Sequence, residues 1–292
     1  MLIAKADGRL ANQLFFISIL DATANEQEVV IATGFEGLLD VFPGLTIHFP
    51  RLIHIPKTTW RRWGLDHIMG AAARFRIIGR AELEPGQDRL KRSRALLRSA
   101  MLPVGFYQHS RLQRDRIPLA FQKHLYSRHV KQAQSFGLTL GTNSGRLKCF
   151  VHVRRGDYLS FPDSQFPAAL PPEWYLEQID QIRKLQPDTE FLAFSDDLEF
   201  CESTFGGLSD VSVVDAGPEE SFLLMSLCDS GILSASSFSW WAARLASRVQ
   251  GGPFIAPNFW FWWALGFWKD DTLRDSQFLT WADVLRPRAN AL

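Results

Sequence analysis

Between residues 149 and 249 the chain switches repeatedly between two spacings of apolar residues, and few folds accommodate that switching. Cys149 to Val153, Phe191 to Phe194, Val211 to Val214 and Gly231 to Leu233 are short apolar runs of strand length. Between them, Pro171 and Pro172 lead into Leu176, Ile179, Ile182 and Leu185, which predicts an amphipathic helix with proline at its start. Glu219 and Glu220 suit the positive end of a second helix running to Cys228. Trp241, Leu245 and Val249 share one face of a third. Strand and helix alternating in this way predict an α/β fold with a parallel sheet and crossover helices.

The first half is less regular. Leu2 to Ala6, Val29 to Thr33 and Leu45 to Phe49 are predicted as strands and Leu10 to Ala24 as a helix, which makes a second α/β unit. Glycines 137, 141 and 145 mark the expected boundary, dividing the chain into 1–140 and 145–292. Residues 61–130 hold fifteen Lys or Arg against five Asp or Glu, Arg89 among them, and Leu90 to Leu97 is predicted as a basic amphipathic helix. That region is either a solvated face or a patch for anionic lipid or a phosphate-bearing acceptor. Nucleic acid is not expected: the net charge is +1, and no aromatic interleaving or binding motif accompanies the arginines.

Cys149, Cys201 and Cys228 are too few and too widely spaced for a disulfide framework or zinc site, so buried free thiols in a reducing compartment are expected. The N-terminus lacks a basic stretch followed by a long apolar one, and Pro257, Asn258 and Gly266 interrupt the most aromatic segment, Phe254 to Trp268. A cytoplasmic location is expected, with peripheral contact at the inner face of the plasma membrane through 61–130.

Three segments fall just after predicted strands, where ligands bind in open α/β sheets. Val151-His152-Val153-Arg154-Arg155-Gly156-Asp157-Tyr158 carries two guanidiniums, which match phosphate oxygens in pairs and stay charged at any working pH. Alternation along an extended strand separates Arg154 from Arg155, so one suits a diphosphate while the other pairs with a carboxylate such as Asp157. Phe194-Ser195-Asp196-Asp197 offers acceptors for a base or ribose; equally, either Asp serves as a helix N-cap. Ser234-Ala235-Ser236-Ser237-Phe238-Ser239-Trp240-Trp241 ends a strand and opens a helix, where free N–H groups and hydroxyls form an anion site. An ordinary Ser N-cap over core tryptophans is the alternative. A fourth segment, Gly8-Arg9-Leu10-Ala11-Asn12-Gln13-Leu14, is a glycine turn into a helix. No pattern for a metal site emerges.

Taken in order, these four segments resemble the α-1,2-fucosyltransferases of glycosyltransferase family 11, whose pattern reads G-[GR]-[LF]-G-N-Q-[ML], H-x-R-R-x-D-Y, F-S-D-D and S-N-S-S-F-S-W-W-A-A. The chain departs from it twice, with Ala11 in place of glycine and Ala235 in place of asparagine. The resemblance implies a GT-B-like fold of two facing Rossmann-like lobes. It implies GDP-fucose as donor substrate, no cofactor or metal, and inversion at the sugar carbon. The C-terminal lobe would bind the donor through His152, Arg154, Arg155, Asp196, Asp197, Ser236, Ser237, Phe238 and Ser239. Gly8, Arg9, Asn12 and Gln13 would face a glycan acceptor, lipid-linked in some cases. Arg154 is expected to take up the charge of the leaving diphosphate, with Asp157 or Asp7 as base and Asn12 near the acceptor hydroxyl. Three alternatives stay open: a nucleotide-sugar epimerase or dehydrogenase, a non-catalytic glycan- or lipid-binding protein, and a transferase of another donor or linkage.

Overall fold

A computed structural model describes residues 1–24, 27–83, 90–105, 108, 113–141, 143, 145–249, 251–268 and 273–285. Arg89 and other parts of the basic region therefore lie outside the described residues. The chain divides into two compact units, Met1–His124 with Thr272–Asp275, and Leu125–Asp271 with Ser276–Leu292.

The first unit contains β1 (Leu2–Ala6), α1 (Leu10–Thr23), β2 (Val30–Thr33), α2 (Glu36–Val41), α3 (Leu45–His48), β3 (Leu52–His54), α4 (Lys57–Arg62), α5 (Leu65–Arg74), β4 (Gly79–Leu83), β5 (Leu90–Arg92) and β6 (Ala100–Gly105). The division between units falls inside α6 (Arg116–Ser135). The sheet order is β3-β2-β1-β6-β4-β5, parallel except where β5 runs against β4. Helix α1 is apolar on nearly every side, and Leu14 to Leu20 are all buried, as such a helix requires.

Two segments differ from their predicted form. Leu45 to Phe49 is helical, not a strand. Leu45 and Phe49 are buried while Ile47 is exposed, and a four-residue spacing places the first two on one side of a helical turn. Leu90 to Leu97 is β5 followed by a turn, not a helix. Its backbone bonds to neighbours instead: Ser93 N–H donates to the Arg80 carbonyl at 2.9 Å, Leu96 N–H to Arg76 at 2.9 Å and Leu97 N–H to Ile77 at 2.8 Å. Part of the basic charge is neutralised internally. Both terminal nitrogens of Arg92 donate to the buried Glu28 carboxylate at 2.6 Å, and Arg116 pairs with Asp21.

The second unit contains β7 (Lys148–Val153), the small hairpin β8 (Pro162–Asp163) and β9 (Phe166–Pro167), α7 (Pro172–Leu185), β10 (Glu190–Ser195), α8 (Leu198–Phe205), β11 (Val211–Val213), α9 (Pro218–Leu227), β12 (Ser230–Ile232), α10 (Ser237–Ala246), β13 (Phe254–Pro257) and β14 (Thr280–Ala282). Its main sheet runs β11-β10-β7-β12-β13-β14, parallel throughout. Counting only these six strands, the order is 3-2-1-4-5-6, the doubly wound Rossmann arrangement. The winding reverses between β7 and β12, and that reversal opens a crevice at their carboxyl ends.

Strand β7 is buried on both faces, which accounts for its unbroken apolar sequence. Cys149, Val151 and Val153 pack with Trp174, Tyr175, Ile179 and Ile182 of α7. Leu185 is exposed, because a strict three-residue repeat lags the 3.6-residue turn and drifts off the buried face. Val249 likewise lies beyond the end of α10 and is exposed. The three cysteines are free and buried, and burial pushes the Cys149 thiol up to about 12 and Cys201 up to about 11. On the other face of β7, Phe150 fills the space above Gly231 of β12, where any Cβ would overlap its ring. Gly231→Ala is therefore expected to destabilise the protein by about 1–3 kcal/mol, as overpacking does. Urea unfolding would show it, and equal midpoints for variant and parent would contradict the packing described.

Candidate active site

The loops leaving β7, β10 and β12 meet at the carboxyl end of this sheet, and Arg154 sits among them. Its guanidinium donates to Asp196 Oδ2 at 2.7 Å and also pairs with Asp157. Arg155 takes a different partner: its Nε donates to Asp197 Oδ2 at 2.9 Å, and its guanidinium lies 3.8 Å from the Phe200 ring centre. The Arg155 backbone N–H donates to Asp196 Oδ1 at 2.9 Å. Asp196 thus clamps the main chain of one arginine and the side chain of the other. The clamp needs Gly156, because a Cβ at that position would stand 2.6 Å from Asp196 Oδ2. Asp197 caps α8 by accepting from Phe200 N–H at 3.0 Å. That bond first, and Arg155 second, hold its carboxyl below the usual range. The expected division of labour, with one arginine paired to a carboxylate, becomes a pairing of both.

His152 is buried, with Nδ1 2.7 Å from the Ser234 hydroxyl and its ring tilted against Phe238. Burial, then the charge of Arg154, lowers its pKa to about 3, so the imidazole is neutral at working pH. Two guanidiniums therefore face three carboxylates, with no help from His152. Any anion that bound Arg154 would compete with a carboxylate already in place. Of its two partners Asp157 is the more accessible, with a side chain 56% exposed against 28% for Asp196.

Ser236 caps α10, its Oγ accepting from Phe238 N–H at 3.3 Å. Ser237 is half-buried at the first turn. The Ser239 hydroxyl turns inward and donates to the carbonyls of Ser234 and Ser236 at 3.2 and 3.1 Å, so its side chain holds the loop together. Trp240 and Trp241 are fully buried.

Tyr158 ties two of these loops together, a role the motif letters alone did not reveal. Its hydroxyl donates to the Ala235 carbonyl at 2.8 Å, and the Arg154 guanidinium lies 5.5 Å from its ring centre. Phe161 and Phe261 pack against the same ring. The cluster of aromatics at 254–268 was the only sequence signal for this brace.

The N-terminal motif belongs to the first unit and follows β1. Gly8 adopts φ +85°, and a Cβ there would sit 2.5 Å from Asn12 Nδ2. Asn12 Oδ1 accepts from Gln108 at 3.0 Å, and Arg9 is exposed at the start of α1. Gln13 is buried; it donates to the Gly8 carbonyl at 3.2 Å and accepts from Leu38 N–H at 2.8 Å, bracing the turn. Asp7 Oδ1 accepts from Gly8 N–H at 2.9 Å. Among the described residues no group of His, Cys, Asp and Glu is arranged to hold a metal ion.

Residues 91–285 match the glycosyl transferase family 11 profile. The chain belongs to glycosyl transferase family 11. Among similar proteins, the Escherichia coli O-antigen biosynthesis glycosyltransferase WbnK is 34% identical over 116 residues, 38% of this chain and 38% of that one. Galactoside alpha-(1,2)-fucosyltransferase 1 of Saimiri boliviensis boliviensis is 30% identical over 192 residues, 63% of this chain and 47% of that one. The chain therefore spans less than half the length of either relative. Fucosyltransferase NodZ from Bradyrhizobium shares the fold, with a TM-score of 0.50 and 11% identity over 84% of this chain and 93% of that one. The family 11 chain thus has a GT-B-type α/β fold.

The neutral state of His152 has a thermodynamic consequence. Its pKa of about 3 in the folded protein lies below the usual 6.5, so the unfolded chain binds a proton in that window that the folded chain does not. Its contribution to stability is complete above about pH 6.5 and is lost as pH falls toward 3, at up to about 1.4 kcal/mol per pH unit. Denaturation across that range should show a shallower slope for His152→Asn than for the parent; equal slopes would contradict burial of a neutral imidazole.

Proposed function

We propose that this family 11 chain transfers L-fucose from GDP-fucose to a glycan hydroxyl, O-2 of galactose, with inversion and without a metal. The transfer would serve synthesis of a surface polysaccharide from the cytoplasmic side of the membrane. The observation that carries the proposal is the clamp of Arg154 and Arg155 at the winding reversal of a Rossmann sheet, beside a capped helix start. The likeness to an O-antigen glycosyltransferase and to a galactoside fucosyltransferase supports the choice of donor and acceptor.

In the proposed reaction the bond between the fucose carbon and the diphosphate oxygen breaks, and its electron pair leaves with GDP. The acceptor oxygen bonds to that carbon from the opposite face. Positive charge builds on the sugar ring and negative charge on GDP. Arg154 and the N–H groups at the start of α10 would stabilise the departing diphosphate. The diphosphate would displace Asp157 from Arg154, freeing that carboxylate to accept the acceptor proton. His152 and the Asp196–Asp197 loop would contact guanosine. Asn12 and Arg9 would serve the acceptor side.

A screen of glycan acceptors with GDP-fucose, with and without chelator, tests this directly. The expected product carries an α-1,2-linked fucose, formed at the same rate with chelator present. Arg154→Ala is expected to lower turnover by about 100-fold or more, and Asp157→Asn to remove the acidic limb of the pH profile. Undiminished turnover in Arg154→Ala would overturn the assignment. Retention of GDP with no transfer to any glycan would point to a binding protein instead.

A further inference from the structure

Helix α5 is amphipathic, but only one of its two apolar strips is covered. Leu65, Met69, Ala72 and Ala73 pack against Ile3, Trp60 and Ile78. Ile68 and Phe75, seven residues apart and so on one side of the helix, are left in solvent. The turn after β5 lies beside them, fixed by the backbone bonds of Leu96 to Arg76 and Leu97 to Ile77. Leu96 is 82% exposed, Phe75 74% and Trp63 59%, with Ile68 and Leu97 each more than half exposed. Single exposed apolar side chains are ordinary, but Phe75, Ile77, Leu96 and Leu97 gather where the two segments are joined by the bonds at 76 and 77.

The charge around this patch is almost entirely positive. Arg61, Arg62, Arg74, Arg76, Arg94 and Arg98 are all exposed. Among the described residues none of them forms a salt bridge, unlike Arg92 and Arg116. The stretches 61–76 and 90–98 contain a single acid, Asp66, and it is engaged by Lys5 at 2.8 Å and by the Trp60 indole N–H at 2.9 Å.

We infer that this outer face of α4, α5 and the 94–98 turn docks on an anionic lipid bilayer. Guanidiniums would meet headgroup phosphates while Trp63, Phe75 and Leu96 enter the boundary with the acyl chains. A second copy of the chain is the poorer occupant. A symmetric dimer through this face would set the same arginines against each other. The contact is peripheral: among the described residues no helix is long and apolar enough to cross a membrane. The docking surface does not depend on which sugar nucleotide the protein uses.

Co-sedimentation with vesicles of phosphatidylcholine, with or without a third of phosphatidylglycerol, tests it at low and high salt. The protein is expected to sediment with the anionic vesicles only, and less at high salt. Two double variants, Phe75→Ser with Leu96→Ser and Arg74→Glu with Arg94→Glu, should each weaken binding by about tenfold or more while leaving the melting temperature unchanged. Equal binding to neutral vesicles would overturn the inference, as would wild-type binding by both variants. So would a lipid-free dimer that the same variants dissociate. None of these readouts uses sugar transfer, so a failure here is separate from a failure of the proposed reaction.

Discussion

The site hangs on one carboxylate. Asp196 accepts from the Arg155 main chain and the Arg154 side chain, joining the loop after β10 to the loop after β7. Remove that bridge, and the Arg154 side chain and the Arg155 main chain, at the end of a buried strand, lose a shared anchor. Gly156 is needed for the approach, and Tyr158 carries the tie onward to the loop after β12. Three adjacent strand ends thereby become one preorganised surface. Preorganisation matters because charge that develops in a reaction is best met by groups that need not move toward it.

The same arrangement sets a condition on ligand binding. With His152 neutral, three carboxylates surround two guanidiniums. The cluster is not a bare anion hole but a paired one, and in the proposed reaction the diphosphate exchanges with a carboxylate. Asp157, the more exposed partner of Arg154, is the one whose release is least costly. In the proposed reaction that exchange links donor binding to the freeing of a base, so the two roles considered for Asp157 follow one another in time.

Much of the second unit was legible because its strands are buried on both faces and its helices carry capping signals. The runs at β7 and β10 and the proline start of α7 come directly from those constraints. The first unit was harder. Leu45 and Phe49 satisfy a helical turn as readily as a strand, and only burial separates the two. The segment 90–97 has helical composition, yet pairing with β4 and with residues 76–77 decides its form. In the site, the strand-end positions of His152, Arg154, Arg155, Asp196 and Asp197 followed from local spacing. Their pairing did not, because it joins residues some forty positions apart. Ser239 and Gln13, polar letters of the motifs, are internal braces whose roles depend on which way each side chain turns.

In the proposed reaction Arg154 is the cation which meets a nucleotide diphosphate at the β7 strand end. Calorimetric titration of GDP into the wild-type protein and into Arg154→Ala tests it without any acceptor. Saturable GDP binding is expected for the wild type, weakened by about tenfold or more in the variant, as loss of a charge-assisted contact requires. Equal GDP affinity in a variant that melts at the wild-type temperature would contradict it.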